Sequence, residues 1–219
     1  MKVFVINICD KRWKKYESDE RYIRWKGCNG KEDLDYDFIE ETYITMWNCS
    51  KEHKCNVAGC GESHLTLMKH IIDNQLNNVI IIEDDALVDF DRLEELNDIN
   101  EFCFVGGRFE PRVLKKKVDR DKCSMDEGIN IIDPEHFTIG GAHGYYFPTY
   151  EVCSWLYNII TKKQRRRAID SEFRILQKNK QITKYIFPAI VDLHLPDAMN
   201  GFTYNAKSNY HLKDNNHYY

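Results

Sequence analysis

Three consecutive carboxylates, Glu83, Asp84 and Asp85, follow directly on four apolar residues, Val79 to Ile82. Neighbouring acids repel, and crowding raises the pKa of at least one of them. A divalent cation relieves that cost, because Mg²⁺ and Mn²⁺ favour hard oxygen ligands. The same triplet also suits a solvated strand end or a helix N-cap, with Asp84 or Asp85 capping from Ala86 onward. A short Val/Ile run entered from an Asn pair reads as a strand buried on both faces. Open α/β sheets gather their ligands outside the carboxyl ends of such strands. On these residues alone both readings stay open.

Other signatures of chemistry are missing. The chain has no Walker A loop and no G-x-G-x-x-G fingerprint, so neither P-loop phosphoryl transfer nor a dinucleotide site is supported. G-x-S-x-G is also missing, and "GCGESH" places its glycines wrongly for a nucleophile elbow. What is left is an acid cluster with glycine-rich turns, a combination suited to a diphosphate neutralised by a cation.

The elements that must position these groups alternate. "KVFVINI" reads as a first strand and the charged "KRWKKYESDERYIRW" as an amphipathic helix. Residues 36 to 56 are polar and irregular. "GESHLTLMKHIIDNQ" carries Leu65, Met68, Ile71 and Ile72 at helical spacing, with Ser63 as its N-cap. A short helix is expected around "DFDRLEELND", and a buried strand in "EFCFVGGR" ending at Gly106–Gly107. Residues 110 to 130 read as a charged loop, and "HFTIGGAHGYYFPT" as a strand with a glycine-rich entrance. "YEVCSWLYNIITKK" predicts a helix with Trp155, Ile159 and Ile160 inside, "AIDSEFRILQKN" another helix, and "KYIFPAIVDLH" a late strand. Strand and helix alternation places the chain in the α/β class with a mostly parallel sheet.

Composition narrows the function. A length of 219 residues suits one domain with a sizeable core. The net charge of −4 argues against a general nucleic-acid binder. No apolar run reaches membrane-spanning length, and the apolar part of "MKVFVINICDKR" is too short for a signal peptide, so a cytoplasmic protein without a membrane span is expected. Eight cysteines include no C-x-x-C pair, which favours reduced thiols over zinc or disulfides.

The order "FVINI…RW", "GCNGK", "GCGESHLTLMKHI", "VIIIEDDA", "GGAHGYYF" and "KYIFPAIVDLH" resembles glycosyltransferase family 25 over about residues 1 to 195. It is also similar to the small capsid-glycan sugar transferases of large DNA viruses, which would place it in the host cytoplasm. Two departures stand out. Asn29 occupies a turn position that is usually Asp, and Arg12 aligns only across a gap.

The resemblance implies a GT-A fold, a Rossmann-like α/β/α sandwich with a mostly parallel mixed sheet, that binds a nucleotide-sugar. Residues 1–219 would form one such domain. Residues 1–105 would be its nucleotide- and metal-binding half, 106–200 its acceptor half and 201–219 a tail. The acidic metal motif would be Glu83-Asp84-Asp85, with Asp85 the first choice of direct ligand for Mn²⁺ or Mg²⁺ and Asp84 beside the donor. His194, after "AIVDL", falls where such enzymes take a further metal ligand, or is an exposed loop histidine. Asn7 and Arg12 could touch base or ribose, or serve turn chemistry and the surface. Asn29 and Gly30 would form the turn beside uridine. Ser63 and His64 match the family's helix start, where capping and core packing are the alternatives. His143 could face sugar or acceptor, or be a backbone-bonded loop histidine. Asp170 matches the family's acid before its late helix and would be the general base of an inverting transfer, or that helix's N-cap. "KKQRRR", residues 162 to 167, reads as a solvated helix end, with anion attraction the alternative.

The expected function is transfer of a hexose or deoxyhexose from a UDP-sugar to a glycan or glycoprotein hydroxyl. A metal-dependent phosphohydrolase or nucleotidyltransferase, and a non-catalytic nucleotide-sugar-binding module, are the alternatives.

Overall fold

The computed structural model describes residues 1–44, 49–111 and 126–193. The chain opens with β1 (Lys2–Asn7), α1 (Asp10–Trp13), β2 (Tyr22–Lys26), α2 (Tyr36–Thr42) and the long α3 (Lys51–Asp73). Then come β3 (Val79–Glu83), β4 (Ala86–Val88), a 3₁₀ helix (Phe90–Leu96), β5 (Cys103–Phe104) and β6 (Arg108–Pro111). The rest comprises β7 (Gly128–Ile131), β8 (Phe137–Gly140), β9 (Gly144–Phe147), α4 (Tyr150–Thr161), α5 (Ile169–Lys178), β10 (Lys184–Phe187) and β11 (Val191–Leu193).

Seven strands form one mixed sheet in the order β2-β1-β3-β9-β5-β10-β7. β2, β1, β3, β5 and β10 point one way, while β9 and β7 run against them. This is the expected Rossmann-like α/β architecture, with one reversed strand inserted between β3 and β5. Two ribbons lie outside the sheet, β4 with β11 and β6 with β8.

The strand alternation divides the core in two. Val79 and Ile81 of β3 join Leu65, Met68, Leu156 and Phe173 from α3, α4 and α5. Ile80 and Ile82 face Val3, Val5, Tyr16, Leu96 and Val191 on the other side. All four β3 residues are fully buried, and each such side chain contributes about 1.5–3 kcal/mol of transfer free energy. Long helices cover the first face. Short turns and the β4–β11 ribbon cover the second.

Several elements differ from the sequence expectation. Only the first turn of "KRWKKYESDERYIRW" is helical, and "YIRWK" is β2, parallel to β1 at the sheet edge. An edge strand tolerates Arg24 and Lys26 in solvent, so its charges disguise a run of β-forming Tyr, Ile and Trp. The polar stretch from 36 contains α2 and the start of α3. Ser50, not Ser63, caps α3, its hydroxyl accepting from the His53 N–H at 3.2 Å. Gly59 and Gly61 resemble helix stops but lie inside it. A Cβ at Gly59 would sit 2.5 Å from Gly30 N, and one at Gly61 2.7 Å from the Tyr43 hydroxyl.

Trp155 lies outside rather than inside α4, at 38% exposure, and the inward stripe is Cys153, Leu156 and Ile160. "HFTIGGAHGYYFPT" is two strands parted at Gly141, whose φ of +83° favours glycine. "KYIFPAIVDLH" is also two strands, and the second leaves the sheet to pair with β4. Glycine at 106 and 144 lets it cross: a Cβ at either would lie within 2.9 Å of Val191. "KKQRRR" follows the end of α4 with Lys162, Gln164, Arg165 and Arg167 exposed, the solvated helix end expected, while three of its cations are taken up by protein partners rather than left as an open anion patch. Lys163 pairs with the fully buried Glu172, Arg165 donates to the Glu40 and Tyr43 carbonyls, and Arg166 meets Glu62 at 2.8 Å.

Among the described residues, no helix is long and apolar enough to cross a membrane.

Candidate functional site

The alternation of β3 continues past its end and separates the crowded acids. Glu83 shares the face of Val79 and Ile81 and turns toward α3. Asp84 shares the face of Ile80 and Ile82 and turns toward α1. Asp85 leaves at the tip of the strand, immediately before β4. Three adjacent carboxylates thus enter three different environments.

Glu83 is half-buried beside α3. Its Oε1 lies 3.3 Å from His64 Nε2 and 3.9 Å from Cys60 Sγ. His64 is fully buried, and its other ring nitrogen is 2.6 Å from the Tyr145 hydroxyl, so the ring is fixed at both ends. Burial pushes the Glu83 carboxyl upward, but the His64 hydrogen bond and the charges of His64, His143 and Arg12 outweigh it. The net shift is downward. Cys60 is exposed on α3. The protein around it, then the charges of Glu83, Asp170 and Asp85, raise its thiol pKa well above the ordinary value.

Asp84 is buried and fully engaged. Asn7 Nδ2 donates to its Oδ2 at 2.7 Å and Arg12 Nη1 to its Oδ1 at 2.7 Å. Asn7, at the end of β1, also donates to the Cys9 carbonyl and accepts from Arg24 Nε at 3.0 Å. Arg12 projects from α1, so the first crossover of the sheet is tied to the acidic strand end through one carboxylate.

Asp85 differs from its neighbours. Its Oδ1 is buried without a hydrogen-bond partner. Burial first, then the charges of Glu83 and Asp84, push its pKa up to about 6. A buried oxygen that must carry charge beside two other acids is the group a hard cation would satisfy. Leu193, the last residue of β11, stands opposite Ala86, the residue after Asp85. His194 and the stretch beyond it lie outside the described residues.

His143 is buried at the mouth of β9, and its carbonyl accepts from the Glu83 N–H at 3.4 Å. Burial lowers its imidazole pKa while Glu83 pulls the other way. Asp170 stands in the first turn of α5, where it accepts from the Ser171 N–H at 2.7 Å. The N-cap is Ala168, which makes no side-chain cap, so Asp170 is not that helix's cap. Its charge, with those of Glu83 and Asp85, raises the Cys60 thiol pKa.

The remaining candidates meet farther along α3. The Ser63 hydroxyl donates to the Gly59 carbonyl at 2.6 Å and accepts from the Cys28 N–H at 2.7 Å. It thereby pins the segment after β2 to the helix. Gly30 lies against that helix so closely that a Cβ would be 1.9 Å from the Cys55 carbonyl oxygen. Asn29 shapes the turn, with Oδ1 accepting from the Lys31 N–H at 3.2 Å.

Two participants were not singled out from the sequence as site residues. Cys60 falls one helical turn before His64, a spacing visible in "CGESH". Tyr145 had no local signal, since nothing in "GYYF" says which tyrosine turns toward α3.

The fold agrees with one comparison. The model of glycosyltransferase family 25 (LPS biosynthesis protein) matches residues 1–137, which include β1, α3 and the acidic end of β3. No curated protein matches the chain. The family match spans more than half of the sequence and contains β1, α3 and β3 entire. The chain therefore belongs to glycosyltransferase family 25.

Proposed function

We propose that this glycosyltransferase moves a hexose or deoxyhexose from a UDP-sugar to a hydroxyl of a glycan or glycoprotein, with a divalent ion and by single-displacement inversion. The observation that carries this reading is the buried, unpartnered Oδ1 of Asp85 beside two further acids. Glu83 and Asp85 offer hard oxygens of the kind Mn²⁺ or Mg²⁺ takes, and His194 is the proposed third ligand. Such an ion would offset charge on the diphosphate leaving group.

The chain's own groups do the remainder. Asp84, held by Asn7 and Arg12, keeps the strand end rigid beside the donor, and Asn7 and Arg12 border the ribose. The Asn29–Gly30 turn, braced against α3, lies beside the uracil. Asp170 accepts the proton of the acceptor hydroxyl as it attacks the anomeric carbon, and His143 lines the acceptor side.

The test is binding and turnover together. UDP should raise the melting temperature more with Mn²⁺ than without, through mass action on the folded state. Asp85→Ala should lose that increment and the Mn²⁺-dependent release of UDP. Full Mn²⁺-dependent transfer by Asp85→Ala would overturn the proposal. Release of inorganic phosphate or pyrophosphate in place of sugar transfer would overturn it as well.

A further inference from the structure

Cys60 and His64 lie one helical turn apart on the same face of α3, and both reach the Glu83 carboxylate. The thiol, imidazole and carboxylate donor atoms lie within 4.8 Å of one another, the single such group of three among the described residues. We propose that Cys60, His64 and Glu83 form a site for a thiophilic divalent ion of the Zn²⁺ type, which shares Glu83 with the hard-ion position at Asp85 but adds sulfur and nitrogen ligands.

Geometry supports this. Tetrahedral Zn²⁺ with bonds of about 2.3 Å to sulfur and about 2.0 Å to nitrogen or oxygen holds its ligands about 3.3 Å apart for N and O and about 3.5 Å apart for S and O. The corresponding separations here are 3.3 Å for His64 Nε2 to Glu83 Oε1 and 3.9 Å for Cys60 Sγ to the same oxygen. Small rotations of exposed Cys60 and half-buried Glu83 would close the set.

The imidazole is prepared for the task. Its Nδ1 meets the Tyr145 hydroxyl at 2.6 Å, leaving Nε2 aimed at the carboxylate. An outer partner of this kind orients a metal-bound histidine. Three protein ligands, one of them on exposed Cys60, leave a fourth position for water. A sulfur ligand selects Zn²⁺ over Mn²⁺ or Mg²⁺. On binding, the Cys60 thiol gives its proton to solvent and the thiolate bonds the ion.

Glu83 is common to this site and to the proposed donor-metal site. If that donor reading holds, Zn²⁺ would compete with Mn²⁺ for transfer. The existence of the thiophilic site does not depend on it.

The experiment uses the reduced, metal-stripped full chain titrated with Co²⁺, followed by competition with Zn²⁺. The expected result is one tetrahedral Co²⁺ per chain with thiolate-to-cobalt charge-transfer absorption, abolished by Zn²⁺. Cys60→Ser should remove the charge-transfer band and weaken Zn²⁺ binding about 100-fold or more, while Cys28→Ser keeps both. Glu83→Gln should keep the band with weaker affinity, which separates loss of a ligand from loss of the fold. A spectrum without thiolate charge transfer, or one unchanged in Cys60→Ser, would overturn the assignment whether or not the chain transfers sugar.

Discussion

Arg12 and Asp84 are joined by a 2.7 Å ion pair that links α1 to the end of β3, and Asn7 completes the carboxylate's shell at the same distance. Removing one partner of a buried, hydrogen-bonded charge exposes the other to an uncompensated desolvation cost. Arg12→Ala, which leaves the buried Asp84 carboxylate without its counter-charge, is expected to destabilise the fold by about 1–3 kcal/mol in denaturant unfolding. Arg12→Ala and Asp84→Ala together should fall short of additivity by about 1 kcal/mol or more. Strict additivity would mean that the pair does not couple these elements.

Asp85 should behave in the opposite sense. Its folded-state pKa, about 6, exceeds its ordinary value of 3.8, so ionisation weakens the fold. No penalty exists below about pH 4, it grows as pH rises, and it is complete above about pH 6. Asp85→Asn should therefore stabilise the metal-free protein by about 2 kcal/mol at pH 7.5, with the gain gone by pH 3.5. The same variant should lose the stabilisation by Mn²⁺ seen in the parent. Melting curves across pH, with and without Mn²⁺, measure both effects, and an Asn variant that is less stable at pH 7.5 contradicts the ionisation penalty assigned to Asp85.

Asp170 separates charge from structure. Its single local bond, from the Ser171 N–H, is one an asparagine can also accept. Asp170→Asn should change stability by less than about 0.5 kcal/mol. As the proposed base, its loss should lower kcat by about 10²–10⁴-fold with little change in donor KM. A kcat within a few-fold of the parent removes it from the chemistry.

The Asn29–Gly30 turn offers a graded pair. Gly30→Ala places a methyl 1.9 Å from the Cys55 carbonyl oxygen, a clash with rigid backbone. The expected cost is about 3 kcal/mol or more, because neither chain can retreat freely. Asn29→Ala loses one turn bond and should cost about 0.5–1.5 kcal/mol. If the turn borders uracil, Asn29→Ala should also weaken UDP binding measured by calorimetry. Unchanged binding would move the base elsewhere.

Much of this architecture could be read from residue order. The Val79–Ile82 run announced a buried strand, because that signal is local and strong, whereas the acids at its end left a metal site and a solvated or capping strand end equally open. Helices α4 and α5 were legible from their apolar period, except that the phase around Trp155 depends on which face the sheet covers. β2 was hidden, since edge strands carry charge as freely as surface helices do. The start of α3 was hidden too. Gly59 and Gly61 look like helix ends until Gly30 and Tyr43 are seen pressed against them.

The sequence by itself determined that three acids stand at the carboxyl end of a buried strand, because chain order and β periodicity suffice for that. Tertiary structure alone decided how they divide: Glu83 to His64 and Cys60, Asp84 to Asn7 and Arg12, and Asp85 with one buried oxygen that no protein group meets. These partners are up to 77 residues away along the chain. No local pattern encodes such pairings. They arise only when β1, α1 and α3 pack around β3, and the environment so created fixes the charge each carboxylate can hold.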